Sequence, residues 1–134
     1  MATGYTNTFI TVAPDCPADV GIAPERPKSI ARLEYSLLAE SPYRLTGDDL
    51  LLAVHLRHKG IGEDADLDAV RGAFFARPHP CLRASMLPKR YGWGAHYDGE
   101  GRIALYGVET DGYRRFAASE DLKIIPAMRN RKIR

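Results

Sequence analysis

Cysteine is scarce in this chain of 134 residues: there are two, Cys16 and Cys81, far apart and outside any Cys-x-x-Cys pair. That spacing argues against a zinc ribbon or a thioredoxin-type motif, and it makes free thiols in a reducing compartment the default reading. Long apolar runs are missing as well. The longest, Leu50 to Val54, is far too short to cross a bilayer. Met1-Ala2-Thr3-Gly4-Tyr5 shows neither the basic start nor the apolar stretch of a secretory signal. A cytoplasmic protein with no membrane partner is the expectation. Internal repeats, a Gly-rich phosphate loop and a Ser-His-Asp spacing are all absent. Pro80-Cys81 begins the Pro-Cys-x-x-Cys element of zinc deaminases, but Ala84 stands where the second cysteine is needed. His55 and His58 could share a helix face, yet no third ligand lies near them in sequence, so no metal site is expected and no cofactor is implied.

Acidic residues are lacking in one long window, Ala69 to Tyr97, which holds Arg71, Arg77, Arg83, Lys89 and Arg90. Asp48, Asp49, Glu63, Asp64, Asp66 and Asp68 precede it. The last six positions carry four of the 19 basic side chains, so the rest of the chain holds 15 basic against 17 acidic and is close to neutral. Such segregation suits an anionic partner, although a basic tail is more often a solvated end. The expected organisation is one globular domain over residues 1–128 followed by a basic tail, 129–134.

What is present reads as alternating short elements. Thr6 to Val12 is rich in β-branched residues and reads as a strand, ended by Pro14 and Pro17. Ile30, Leu33, Leu37 and Leu38 predict a helix over Lys28 to Glu40. Thr46-Gly47-Asp48-Asp49 looks like an N-cap for a helix over Leu50 to Lys59 with Gly60 as C-cap, a buried strand being the competing reading. Leu67, Val70 and Phe74 define a third helix. Gly92 to Tyr97 and Arg102 to Val108 predict a hairpin turning at Asp98 to Gly101. Thr110-Asp111 caps a short helix with Tyr113, Phe116 and Ala117, and Leu122 to Ala127 reads as a last strand. The order β-α-α-α-β-β-α-β implies an α+β fold, a small and mainly antiparallel sheet covered by helices.

The stretch from Cys81 to Tyr106 is the expected location of a ligand site. With the turn at Asp98 to Gly101, Trp93 faces Tyr106, Ala95 faces Ala104, Gly94 faces Leu105 and His96 faces Ile103; a slip of one residue would exchange the faces. Trp93 and Tyr106 then offer a stacking platform flanked by cations, as in single-strand nucleic-acid binders, or else simply a piece of core. The expected ligand-binding set is Arg83, Ser85, Lys89, Arg90, Tyr91, Trp93, His96 and Tyr106, with phosphate contacts from the basic members. The catalytic candidate is Cys81 as nucleophile, paired with His79 or His96 and helped by Arg83; the plainer reading is a small buried thiol.

Tyr5-Thr6-Asn7-Thr8-Phe9-Ile10, Asp15-Cys16-Pro17, Pro42-Tyr43, Asp48-Asp49, Phe74-Phe75, Cys81-Leu82-Arg83-x-Ser85 and Lys89-Arg90-Tyr91-Gly92-Trp93-Gly94 together resemble an uncharacterised bacterial family, a domain of unknown function. The resemblance extends over nearly the whole chain, including the Arg-rich end. It implies a small intracellular domain and brings no activity or catalytic residue with it. The functional expectation is therefore a binding module for an anionic ligand, either nucleic acid or a phosphorylated metabolite. The alternatives are a cysteine-dependent enzyme centred on Cys81, and an interaction or structural domain in which the hairpin is core or a homodimer interface.

Overall fold

In the computed structural model, which describes residues 5–130, the helices begin where side chains can accept orphan N–H groups. The Ser29 hydroxyl accepts from Arg32 at the head of α1 (Ile30–Glu40). Thr46 and Asp49 form a reciprocal capping box at α2 (Gly47–His58), and two aspartates in its first turn favour the positive end of the helix dipole. The Leu50 to Val54 run is therefore helical rather than a strand. Asp66 caps α3 (Leu67–Phe75). A 3-10 turn (Leu82–Ala84) and a short α4 (Met86–Arg90), capped by Ser85, occupy a stretch that the sequence pattern leaves unassigned. Thr110 caps α5 (Asp111–Ala117).

Four strands, β1 (Thr8–Thr11), β2 (Trp93–Tyr97), β3 (Ile103–Gly107) and β4 (Lys123–Pro126), form one sheet in the order β3-β2-β1-β4. The β1–β2 and β2–β3 pairs are antiparallel, whereas β1 and β4 run parallel. The sheet is thus mixed, and the fold is α+β. A parallel return to the far side of the sheet needs a long crossover. That crossover runs through α5, which lies over one face; α1, α2 and the turn at Leu82 cover the other. Because both faces are covered, the central strand is apolar throughout its middle, and Phe9 and Ile10 are fully buried.

The hairpin register differs from the expected one by one residue. Trp93 pairs with Gly107, Gly94 with Tyr106, Ala95 with Leu105, His96 with Ala104 and Tyr97 with Ile103. The loop proper is Gly99, Glu100 and Gly101. Gly101 N–H donates to the Asp98 carbonyl at 3.0 Å, Asp98 N–H donates to the Arg102 carbonyl at 2.9 Å, and Gly101 has φ +80°. This is a type I turn closed by a left-handed glycine, a three-residue hairpin loop. The Asp98 carboxylate adds two further bonds, accepting from Glu100 N–H and Arg102 N–H at 2.9 Å each. The slip carries Tyr106 to the α5 face, away from Trp93.

On the α1/α2 face, Ile10, Leu38, Leu50, Val54, Leu82, Ala95, Tyr97 and Ile103 form the main core cluster. On the α5 face Phe9 packs edge-on against Tyr113, with ring centroids 5.1 Å apart, and lies tilted against Phe116. Gly94 leaves room for both: a Cβ there would sit 2.6 Å from Phe9 and 2.7 Å from Tyr113. The Pro-rich crossing after β1 folds over the start of β2. Trp93 Nε1 donates to the Ile22 carbonyl at 2.9 Å, Ile22 N–H donates to the Tyr91 carbonyl at 2.8 Å, and Gly21 N–H donates to Glu109. Of the basic tail, Arg129 and Asn130 are described, and Asn130 bonds Asp15 and the Lys89 carbonyl; Arg131 to Arg134 lie outside the described residues.

Candidate functional site

Helix α1 turns Ala31, Glu34 and Leu38 inward, at i, i+3 and i+7. A carboxylate thus occupies the centre of a stripe that should be apolar. Its surroundings are the reason to look there. Ala31 and Glu34 of α1, Leu51 and Val54 of α2, and Cys81 and Ser85 of the facing segment line a groove of about 350 Å³. Ile30 and Met86, exposed at 51% and 44%, stand on its rim. A smaller cavity of about 10 Å³, room for one water, is lined by Glu34, Cys81 and Tyr97 among others. No lysine or arginine lines the groove among the described residues.

Glu34 is 9% exposed, and its carboxyl is pushed up to about 7 by burial, which disfavours the charged form. A hydrogen bond from Ser85 opposes that shift without cancelling it. The Ser85 hydroxyl donates to Glu34 Oε1 at 2.6 Å while it accepts from Leu87 N–H at 3.0 Å. The one hydroxyl thus joins the helix cap to the carboxyl. Cys81 Sγ lies 3.7 Å from the Tyr5 hydroxyl. Burial raises the pKa of Tyr5, and Cys81 reinforces this while Arg83 opposes it. Burial likewise raises Tyr97, with Cys81, Tyr5 and Glu34 adding to the effect, so these four groups share one electrostatic neighbourhood.

A second polar cluster sits on the α5 face. Tyr43 Oη is 2.8 Å from both His96 Nδ1 and Tyr106 Oη. The His96 ring stacks on Phe116 with centroids 4.0 Å apart, and Tyr106 meets Phe116 edge-on. Burial lowers the His96 pKa, partly offset by Asp98, and burial first, then Tyr106, raises that of Tyr43.

The structure distributes the sequence-predicted residues over several places. Ser85 and Cys81 line the groove. Arg83 Nε donates to the Pro126 carbonyl and Arg90 Nε to Asn130, so they tie β4 and the residues just after it to the α4 region. The Lys89 and Tyr91 carbonyls serve as backbone acceptors for Asn130 and Ile22. Trp93 is half-buried beneath the Pro-rich crossing, its ring 5.4 Å from that of Tyr35. His96 and Tyr106 share the Tyr43 hydroxyl on the α5 face, with the sheet between them and Cys81. His79 stacks on Phe74 at 3.7 Å, with Nε2 2.6 Å from the Phe74 carbonyl. His55 lies against the other side of this aromatic group, 4.5 Å from Phe74.

The chain belongs to DUF6157, a family of unknown function. The family model matches residues 1–133. Comparison with curated proteins and with solved structures gave no match.

Family membership leaves the chemistry to the residues, and the central one escaped the sequence reading. The helical stripe of α1 was legible through Ile30, Leu33, Leu37 and Leu38, but its buried centre is Ala31, Glu34 and Leu38. The signal was available: an acid one turn from Ile30 and Ala31 on one side and from Leu37 and Leu38 on the other. Tyr43 carried no comparable signal, because it enters its site from a loop with φ +59° that only the fold brings to His96.

Proposed function

We propose that the groove between α1, α2 and the Pro80 to Met86 segment binds a small, largely apolar molecule, with a polar head held at Glu34 and Ser85. The observation that carries this reading is the buried Glu34 in an apolar concavity. Concave apolar sites with a few convergent polar groups are the usual form of a small-molecule site, and strongly shifted titratable groups concentrate there. The apolar rim at Ile30 and Met86 extends the contact surface beyond the polar anchor.

The anionic-ligand reading draws less support. Arg83 and Arg90 are engaged with Pro126 and Asn130, and the Trp93 indole is clasped by the Pro-rich crossing. The cysteine-enzyme reading keeps Cys81 within the groove, but His79 is turned to Phe74 and His96 lies across the sheet. The structural reading, with the hairpin as core, is supported by the burial of Ala95, Tyr97, Ile103 and Ala104; the exposed Ile30 and Met86 would suit a protein partner, but the groove reading uses them equally.

Nile red, a neutral apolar dye, tests the proposal. It is expected to brighten on binding with one molecule per chain, and Ala84→Trp, which places a ring in the groove, should abolish the signal. Absence of saturable binding to the folded wild-type protein overturns the reading.

A further inference from the structure

We infer that the ligand of this groove carries a cationic head, a protonated alkyl- or arylamine seated against Glu34. The inference rests on the groove being a small-molecule site and goes on to name the class of molecule. Its first support is charge complementarity. The groove holds a carboxyl group and, among the described residues, no lysine or arginine to pair with it. A carboxylate or phosphate head would be placed in an apolar site beside a like charge, with no cation to compensate it. A neutral head could donate hydrogen bonds to the carboxyl but would supply no counter-charge.

The second support is the direction of the local hydrogen bonds. Leu87 N–H takes up one lone pair of the Ser85 oxygen, and the Ser85 hydroxyl donates to Glu34 Oε1. The 2.6 Å separation lies in the range of hydroxyl-to-carboxylate bonds. In its ionised form Glu34 has Ser85 as a side-chain donor, and a positive charge is what it lacks. An ammonium group offers three N–H donors and a full positive charge. Desolvation of the carboxylate is the dominant cause of its raised pKa, and an ammonium head offsets that cost directly.

The groups facing Glu34 are few. Ser85 comes from the cap of α4, Cys81 from the facing wall and Tyr97 from β2, while α2 presents leucines and Val54; behind Cys81 and Tyr97 stands Tyr5, which Arg83 also reaches electrostatically. The pH behaviour of binding should therefore follow Glu34.

Benzylamine, benzyl alcohol and benzoate share a ring and differ in head group, so titrating each by calorimetry at pH 6 and pH 8 separates the classes. Benzylamine is expected to bind best, and about tenfold more weakly at pH 6 than at pH 8, because a carboxyl titrating near 7 is mostly protonated at the lower pH. Glu34→Gln should bind benzylamine roughly tenfold or more weakly at pH 8 and lose the pH dependence. Benzyl alcohol binding as tightly as the amine, benzoate binding more tightly, or amine binding that ignores pH in the wild-type protein would each overturn the cationic head. If none of the three binds while Nile red does, the cationic head is also overturned and the groove stands. If Nile red fails as well, the groove reading falls with it.

Discussion

Ser85 Oγ and Glu34 Oε1 lie 2.6 Å apart although 51 residues separate them in the chain. The contact joins the cap of α4 to the buried face of α1, and it sets the polar floor of an otherwise apolar groove. Its consequences can be measured without knowing the ligand.

Stability should respond to pH through Glu34. Its folded pKa lies above the usual carboxylate value, so the fold favours the protonated form. That contribution is complete below about pH 4.5 and is lost as pH rises through about 7. Glu34→Gln removes the titration. In urea melts it should match the wild-type protein at pH 5 and exceed it by roughly 1–3 kcal/mol at pH 8. A variant less stable than wild type at pH 8 would mean that the carboxylate is compensated after all.

His96 should act in the opposite direction. Burial lowers its pKa, so its contribution is present above the ordinary imidazole value of about 6.5 and is lost as pH falls through the lower folded value. An NMR titration should place His96 below that ordinary value. Tyr43→Phe removes the hydroxyl shared by His96 and Tyr106 and should cost roughly 1–3 kcal/mol in a thermal or urea melt.

Gly94 should tolerate nothing larger. Its missing Cβ marks where Phe9 and Tyr113 close together, so Gly94→Ala is expected to cost about 1–3 kcal/mol. Gly72→Ala makes a sharp contrast. It lies within α3, where a Cβ meets nothing within 4 Å, and alanine should add about 0.5–1 kcal/mol through helix propensity. Equal melting temperatures for the two variants would contradict the packing described for the α5 face.

Cys81 should report occupancy of the groove. It lines the cavity, whereas Cys16 does not. Saturating benzylamine or Nile red should therefore slow alkylation of Cys81 by iodoacetamide and leave Cys16 unchanged, as read by mass spectrometry of the labelled peptides. Equal protection of both thiols would point to global stabilisation rather than a ligand in the groove.

Much of this fold was legible in the linear order of residues, because local rules govern its elements. Thr46 and Thr110 announce their helices through short-range hydrogen bonds to their own N–H groups, and Ser29 and Asp66, which the sequence reading did not assign as caps, do the same. The α+β class follows from the alternation of such elements. What lay beyond the sequence was set by contacts between distant segments. The hairpin slipped by one residue because the Asp98 carboxylate and a left-handed Gly101 stabilise a three-residue loop, and that slip reassigned Tyr106 to the face of His96. Arg83, Arg90 and Trp93 are near neighbours in sequence, yet in the fold Arg83 bonds Pro126 of β4, Arg90 bonds Asn130 and Trp93 bonds the Pro-rich crossing, partners that no local pattern announces. Glu34 could be seen as an acid within an apolar stripe, but its near-neutral titration was not visible. Desolvation depends on what packs around a group, and only tertiary structure brings Cys81, Ser85 and Tyr97 around this one.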